Sequence, residues 1–197
     1  MRKRGLLVAL MAAALIAPSA ALAKDYKIDA EHTAIKFRVR HLFTKVDGQF
    51  KTFEGKIQFD LADPAKTKVT GSIDVTSIDT NVKERDNHLR GKDFFYVEKH
   101  PKITFESTLV SDVDMKAKTG KLHGKLTMRG VTKDVVLDVA FTGEGSDPWG
   151  NNKAGFTATM KLNRKDYGLT WNETLETGGV LVGEEIEIQI DAEAYVQ

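Results

Sequence analysis

Five histidines are the side chains of this sequence best suited to acid–base or metal chemistry. None of them stands in the close spacings of a zinc site, such as His-Glu-x-x-His or His-x-x-Glu-His. The chain also lacks cysteine, a Gly-x-Ser-x-Gly nucleophile turn, a phosphate-binding loop and a dinucleotide fingerprint. We therefore predict no catalytic centre, no metal site and no cofactor. The five histidines are His32, His41, His88, His100 and His123.

A basic pair in the segment 84–95 is the best candidate for contact with a ligand. If this segment begins as a helix, Arg85 and His88 share one face and can meet an anionic head group. Phe94 and Phe95 follow, and would border an apolar opening. The alternative is that Arg85 makes local ion pairs while the two phenylalanines plug the end of the fold.

The first 23 residues have the pattern of a secretory signal peptide. Basic residues at positions 2–4 precede an apolar run from Leu6 to Ala17, and Ala21 and Ala23 supply a cleavage site. The apolar run is shorter than the roughly 20 residues that span a bilayer. We expect an exported protein that begins at Lys24 and has no stable membrane insertion.

Charge and length limit what the remaining chain can do. Residues 24–197 are enough for one domain with a sizeable core. Removing the three basic residues of the leader leaves 26 Lys and Arg against 28 Asp and Glu, a formal charge of −2. This balance provides no basic surface for nucleic acid or for anionic membranes. Without cysteine, the domain must be held together by its core alone.

Apolar and polar residues alternate in eight segments, which is typical of strands with one buried face. The clearest segment runs from Ile186 to Ala194, where Ile and Ala alternate with Glu, Gln and Asp. Closure of eight antiparallel strands removes exposed edges. The predicted fold class is all-β, an eight-stranded antiparallel β-barrel with one short helix. The eight segments are 35–39, 53–59, 69–75, 103–105, 122–128, 135–141, 156–162 and 186–194.

The residues between these segments are typical of tight turns, which indicates that consecutive strands are antiparallel. Asp47-Gly48 and Arg129-Gly130 are expected to supply the positive-φ positions of tight hairpins. Asp112-x-Asp114 resembles the opening of a calcium loop, but lysines follow where oxygen ligands are needed. We interpret it as a charged hairpin turn.

One helix is predicted, from Asn81 to Arg90. Asn81 and Glu84 form a possible capping pair, and Gly91 is a stop signal. A long irregular stretch, 163–182, contains Tyr167 and other aromatic and apolar residues. Loops of this length are usually functional or mobile.

The inward face decides whether such a barrel is filled or hollow. Small residues are interspersed among large apolar ones, and we expect them to leave room for a long apolar ligand. The same alternation also occurs in packed barrels, where it fits the taper. We find no polar residue among the inward positions, and this favours a hollow barrel. The small inward residues are Gly55, Gly71, Gly124, Ala158, Ala192 and Ala194.

In these segments the chain resembles the YceI-like polyisoprenoid-binding family of bacterial periplasmic proteins. The resemblance covers essentially the whole mature chain. Each motif is weak alone, but their order is specific. The motifs are Asp29, His32-Thr33, His41-Leu42, Gly48-x-Phe50, Thr80, Arg85-Asp86-x-His88-Leu89, Asp93-Phe94-Phe95, His100-Pro101-x-Ile103-Thr104-Phe105, Gly124-x-Leu126-Thr127-x-Arg129-Gly130-Val131-Thr132-Lys133, Asp147-Pro148-Trp149-Gly150, Ala154-Gly155-Phe156 and Asn163-Arg164-x-Asp166-Tyr167-Gly168.

The resemblance implies a lipocalin-like barrel whose hydrophobic tunnel holds a long isoprenoid of the quinone or polyprenyl-phosphate kind, or a similar amphiphile. It also implies a periplasmic location and pairing as a homodimer. Arg85 and His88 are then the head-group candidates. The predicted tunnel lining is Phe37, Phe53, Phe59, Ile73, Phe94, Phe95, Phe105, Leu126, Phe141, Phe156, Met160, Leu169 and Trp171.

Three functions therefore stay open. The first is binding and carriage of a lipid, which the apolar inward face supports independently of the family. The second is an enzyme that modifies a lipid or a quinone, for which the only support is the presence of His32, His41 and His88. The third is a stress protein with a solidly packed barrel.

The position of cleavage is directly testable. We expect N-terminal sequencing of the exported protein to begin at Lys24 or within one or two residues of it, because Ala21 and Ala23 supply the small side chains that signal peptidase requires. A mature protein that still carries Met1 would contradict the signal-peptide interpretation.

Overall fold

The computed structural model describes residues 23–175 and 178–197. The predicted signal peptide lies outside the described residues, apart from Ala23. Within these ranges the chain forms eleven strands and one α-helix, α1 (Lys83–Arg90). No helix in the described part of the chain has the length and apolar character needed to cross a membrane. The strands are β1 (Lys24–Ile28), β2 (Ala34–His41), β3 (Thr44–Phe50), β4 (Phe53–Phe59), β5 (Lys68–Asp74), β6 (Ile78–Asp79), β7 (Lys102–Asp114), β8 (Thr119–Met128), β9 (Val131–Ser146), β10 (Asn152–Asn163) and β11 (Val182–Val196).

The strands close into an antiparallel barrel. The order β1-β4-β5-β7-β8-β9-β10-β11 returns to its start because β1 pairs with both β4 and β11. Each of the other three strands lies end to end with one of these: β2 with β1, β3 with β4, and β6 with β5. Here β2 pairs with β11, β3 pairs with β2, and β6 pairs with β3. Eleven strands thus occupy eight positions around the barrel. This confirms the predicted all-β, eight-stranded, lipocalin-like barrel with a short helix.

The two ends of the barrel are built differently. One end, the helix end, carries α1, the turn between β2 and β3, and the irregular segment 164–181. The opposite end, the hairpin end, carries the connection 60–67, the β7–β8 turn at 115–118 and the β9–β10 turn at 147–151. The antiparallel registers place all of these connections at one end or the other.

Two turn predictions have different outcomes. Arg129 and Gly130 have φ values of 51° and 75° and join β8 to β9, as predicted. The prediction of a turn at Asp47-Gly48 is wrong, because both residues lie within β3 and pair with β2. The chain turns instead beside Leu42, whose φ is 50°. Gly48 is needed for another reason: the ring of Phe37 lies where its Cβ would be.

The helix begins later than predicted, and its capping pair is wrong. The N-cap is Val82, which makes no side-chain capping bond, and Asn81 has a left-handed φ of 62°. The buried Asp86 carboxylate holds the start of the helix instead, because it accepts hydrogen bonds from the Thr80 N–H and hydroxyl at 2.8 and 2.6 Å. Gly91 ends the helix and donates its N–H to the His88 carbonyl, as its sequence position indicated.

Asp112-x-Asp114 leads into a hairpin, but both aspartates still belong to β7 and the turn itself follows at 115–118. One carboxylate oxygen of Asp114 accepts the N–H groups of Lys116 and Ala117 at 2.8 and 2.9 Å. The long irregular stretch is also confirmed. It opens with a short 3-10 helix, Arg164–Tyr167, that ends at Gly168 with a left-handed φ of 75°.

Apolar side chains form three clusters inside the barrel. The helix-end cluster joins Phe94, Tyr167 and Leu169 to Phe50 and Ile78. A second cluster lies at the hairpin end. Its buried members are Tyr26, Ile57, Phe59, Ala154 and Ala194. The third cluster lies between them and joins Val110, Leu122 and Leu137 on the wall formed by β7, β8 and β9.

One small inward residue does not leave empty space, contrary to expectation. The ring of Phe105 covers Gly124, so a Cβ there would overlap the ring and the Glu106 carbonyl oxygen. The space above the glycine is occupied by the ring of Phe105, its diagonal neighbour on β7, because an aromatic side chain is long enough to reach a diagonal position across a sheet.

We expect Gly124→Ala to lower the free energy of unfolding by about 1–3 kcal/mol, because the Phe105 ring must move. Urea denaturation measures the change. Gly145→Ala on β9 is the matched control, since a Cβ at that glycine meets nothing within 4 Å. It should change stability by less than about 0.5 kcal/mol. A Gly124→Ala protein as stable as the parent would show that Phe105 does not require the glycine.

Candidate functional site

The barrel encloses a cavity of about 680 Å³ that reaches both ends. Its wall includes Arg85, His88 and Trp171 at the helix end, and Leu61 and Met115 at the hairpin end. Between the ends the wall is made by inward positions of β2–β5 and β7–β11, because residues two apart along a strand face the same side. The cavity is thus the interior of the closed barrel.

All thirteen residues of the predicted lining lie on the cavity wall. They come from strands in the middle of the barrel and from both ends of it. Phe59, Phe141 and Phe156 pack on one another with ring centroids 5.1–5.6 Å apart toward the hairpin end. Phe94 and Trp171 meet at 5.2 Å at the helix end. That these side chains contact a lipid stays a prediction.

Other wall residues were missed by sequence reasoning. Ile35, Ile57 and Ile188 are inward members of the same alternating segments, so the pattern already contained them. Phe50 and Val46 lie on β3, which the wrong turn prediction concealed. Hairpin-end residues such as Leu61 and Met115 lie beyond the alternating segments, and no sequence signal pointed to them.

The small inward residues fall into two groups. Gly55, Gly71, Ala158 and Ala192 line the cavity, as expected. Gly124 and Ala194 do not, because the Phe105 ring covers Gly124 and Ala194 is fully buried within the hairpin-end cluster.

The expectation of an inward face without polar side chains is also wrong, since polar residues line both ends. At the helix end they include Thr80, Glu84 and Arg164. At the hairpin end they include Asp114 and Lys118.

Arg85 and His88 both line the helix end of the cavity, and both have partners within the protein. Arg85 donates from Nε to the Thr80 hydroxyl oxygen and from Nη2 to the Thr80 carbonyl oxygen, each at 2.7 Å. His88 Nε2 lies 3.0 Å from a carboxylate oxygen of Asp93. The His88 ring packs edge-on against Trp171, with centroids 4.9 Å apart. The pair is therefore held in place beside the cavity.

Arg164 is a second arginine on this wall, and sequence reasoning did not select it as a ligand contact. Its side chain is 3% exposed, and its guanidinium donates to the backbone carbonyls of Gly183, Leu169 and Val182. Burial lowers the pKa of Arg164 from its usual value. Arginine nevertheless keeps its proton in proteins. The helix end thus carries a buried positive charge whose hydrogen bonds go to carbonyl groups.

A cluster outside the cavity has ligand types that a metal could use. Asp29, His32 and Glu193 each offer one ligand atom, and these atoms lie within 4.8 Å of one another. The Lys153 ammonium, however, donates to Asp29 and Glu193 at 2.9 and 2.6 Å. Hydrogen bonds from Lys153 lower the pKa of Asp29 to about 2. The carboxylates therefore already hold a cation, and the group works as an ion bridge between the β1–β2 junction, β10 and β11.

Ser111 and His123 form a pair outside the cavity. The Ser111 Oγ lies 2.9 Å from His123 Nε2, on the neighbouring strands β7 and β8. Neither residue lines the cavity. The pair is therefore separate from the candidate site.

Comparison with known proteins agrees with this architecture. The family model for the YceI-like domain matches residues 26–194. The chain belongs to the YceI-like family. It is 44% identical over 173 residues to a UPF0312 protein of Serratia proteamaculans (strain 568), which covers 86% of this chain and 88% of that one.

Two solved structures are similar to this member of the YceI-like family. The crystal structure of the Campylobacter jejuni YCEI protein superposes with a TM-score of 0.68 at 33% identity, covering 80% of this chain and 90% of that one. A polyisoprenoid-binding domain from Saccharophagus degradans, implicated in plant cell wall breakdown, has a TM-score of 0.62 at 15% identity. It covers 90% of this chain and 100% of that one, and at this identity it shows the fold alone.

The ion bridge predicts how stability depends on pH. The pKa of Asp29 falls from its ordinary 3.8 to about 2 in the folded protein, so folding favours the ionised form. The resulting stabilisation is complete above the unfolded value and is lost as pH falls from about 4 to about 2. We expect Lys153→Met to remove part of this dependence, measured as the difference between parent and variant in the free energy of unfolding.

Lys161→Met is the matched control, because Lys161 lies on the same strand and forms an exposed pair with Glu185. Exposed pairs contribute little. Equal pH profiles for the parent and Lys153→Met would show that the bridge does not stabilise the fold.

Proposed function

We propose that this protein binds the hydrocarbon chain of a long isoprenoid lipid, of the quinone or polyprenyl-phosphate type, inside its barrel and carries it through the periplasm. The observation that carries the proposal is the cavity of about 680 Å³, lined almost throughout by apolar side chains. The family supports a lipid-binding barrel, and the similar domain from Saccharophagus degradans is described as polyisoprenoid-binding. The periplasmic location is supported by the leader at residues 1–23.

The size of the cavity supports a definite length of chain. A carbon-sized group needs ~30 Å³, taking the share that one water molecule has in the liquid. A volume of about 680 Å³ then holds about 23 carbons, or roughly four to five isoprene units. A longer chain would fill the cavity and extend beyond it.

The helix end is the better place for the head group. Glu84 and His88 line the cavity and are also exposed, so the wall reaches solvent beside α1. Arg85, His88 and the buried charge of Arg164 favour a group with acceptor oxygens, such as a quinone carbonyl or a phosphate. The chain then extends toward the aromatic side chains Phe59, Phe141 and Phe156.

The other two functions have less support. A solidly packed barrel conflicts with a cavity of this volume. The histidines on which an enzyme would depend are separated: His32 belongs to the ion bridge outside the cavity, whereas His41 and His88 line its wall. Binding without chemistry is therefore the function that the site supports best. Homodimer formation stays a prediction from the family.

We expect affinity for prenyl alcohols to rise with chain length up to about four or five isoprene units and then to level off. Each methylene-sized group that is buried contributes about 0.8 kcal/mol to the free energy of binding, before the cost of ordering the chain is subtracted. Each isoprene unit added inside the cavity should therefore raise the affinity. Ligand retention measured by mass spectrometry across a series of lengths tests this. Affinity that does not change with length would contradict an apolar cavity as the binding site.

Filling the cavity should weaken binding more than removing a head-group contact. Ala158→Phe places a ring on the cavity wall and should abolish retention of long prenyl chains, whereas Arg85→Ala should only weaken it. Thr159→Phe, at the next and exposed position of β10, is the matched control. Circular dichroism confirms that each variant folds. If folded Ala158→Phe retains long chains as well as the parent, the ligand is not inside the barrel.

A further inference from the structure

Four of the eight large apolar side chains that are exposed in the described part of the chain lie at the hairpin end. Trp149 is 84% exposed and Met115 is 55% exposed, and Leu61 and Val113 are exposed at the same end. They belong to three separate connections, namely 60–67, the β7–β8 turn with the adjoining end of β7, and the β9–β10 turn. We call these four residues the apolar rim.

The apolar rim is continuous with the cavity. Leu61, Val113 and Met115 line the cavity and are also exposed to solvent. Apolar surface therefore extends from the interior of the barrel to the outside at this end, beside the charged wall residues Asp114 and Lys118. At the helix end, the residues that both line the cavity and face solvent include the charged Glu84 and the polar His88.

The charges beside the rim suit a lipid head-group layer. The Asp114 carboxylate accepts the N–H groups of its own turn, and the neighbouring Lys116 supplies a cation next to Met115. The Lys118 ammonium lies 5.5 Å from the centroid of the Phe141 ring. Lysine can extend its ammonium toward phosphate while its stem stays on apolar surface. Tryptophan is enriched at membrane interfaces, because its ring is apolar and its N–H is polar.

We propose that the apolar rim docks the protein on a lipid bilayer, with the hairpin end of the barrel facing the membrane. This inference rests on the proposed function, since a lipid ligand resides in a bilayer and the protein must reach that bilayer to exchange it. Docking depends on the shallow burial of Met115 and Trp149 with their neighbours rather than on net charge, because the chain from Lys24 onward has a formal charge of −2. It therefore occurs on zwitterionic as well as anionic lipid.

The two tryptophans make the orientation measurable, because Trp149 lies at the hairpin end and Trp171 at the helix end. The probe is a vesicle of phosphatidylcholine in which part of the lipid carries bromine on its acyl chains. Trp171→Phe leaves Trp149 as the reporter, and Trp149→Phe leaves Trp171. We expect bromine to quench Trp149 and to shift its emission to the blue, and to leave Trp171 unquenched.

Substitutions at the rim provide a second test by vesicle sedimentation. Met115→Ser should weaken vesicle binding about tenfold, the change expected when one apolar side chain is no longer buried. Phe43→Ser is the matched control, because it removes a side chain that is 97% exposed at the opposite end of the barrel. It should leave vesicle binding unchanged.

Three results would overturn the inference. They are quenching of Trp171 instead of Trp149, equal effects of Met115→Ser and Phe43→Ser, and a rim that is covered by a second copy, seen as dissociation of a dimer by Met115→Ser without vesicles. Retention of prenyl alcohols from detergent solution is measured separately. If prenyl alcohols are retained but vesicles are not bound, docking fails and the proposed function stands. If vesicles are bound but no prenyl alcohol is retained, the proposed function fails.

Discussion

Closure of the sheet through β1 is the constraint on which the rest of the structure depends. This strand has only five residues, yet it pairs with β4 on one side and with β11 on the other. Without it the sheet would have two open edges, and the inward apolar face would not surround a cavity. The ion bridge supports this closure, because Lys153 on β10 holds Asp29, just after β1, against Glu193 on β11.

Three neighbouring pairs of end-to-end strands are each interrupted by a short segment without strand structure, and hydrogen bonds hold these segments in place. Residues 29–33 separate β1 from β2, residues 51–52 separate β3 from β4, and residues 75–77 separate β5 from β6. The Ser77 hydroxyl oxygen accepts the N–H of Thr52 at 2.9 Å, and the Thr33 hydroxyl donates to the Glu193 carbonyl at 3.1 Å. Thr33, which belongs to one of the motifs that carry the family resemblance, therefore holds backbone segments together. Arg129 does the same when it donates to the carbonyls of Gly168 and Lys92.

The sequence predicts the features that depend on local alternation. The segment from Ile186 to Ala194 alternates cleanly and forms most of β11, and the bulky inward residues of the other segments reach the cavity wall. Strand β3 was missed because Asp47-Gly48 has the composition of a turn, whereas the glycine is there to accommodate the ring of Phe37. Strands β1 and β6 are too short for a period-2 pattern to be distinguished.

Features that depend on distant contacts could not be predicted from the sequence. Lys153 meets Asp29 across 124 positions of the chain, and no local pattern marks that pair. The positive charge of Arg164 becomes part of the cavity only when its 3-10 helix packs against the start of β11. The apolar rim likewise comes from three connections that are separate in sequence and share one end of the barrel only after closure.

The central claim is that the barrel is hollow in order to hold an apolar chain. A native mass spectrum of the protein purified from cells without detergent or organic solvent tests this most directly. The account predicts a bound species that organic solvent removes, and a lower melting temperature for the emptied protein, because a ligand that binds only the folded state stabilises it. A protein that carries no such species, and whose melting temperature does not change when prenyl alcohol is added, would contradict the account.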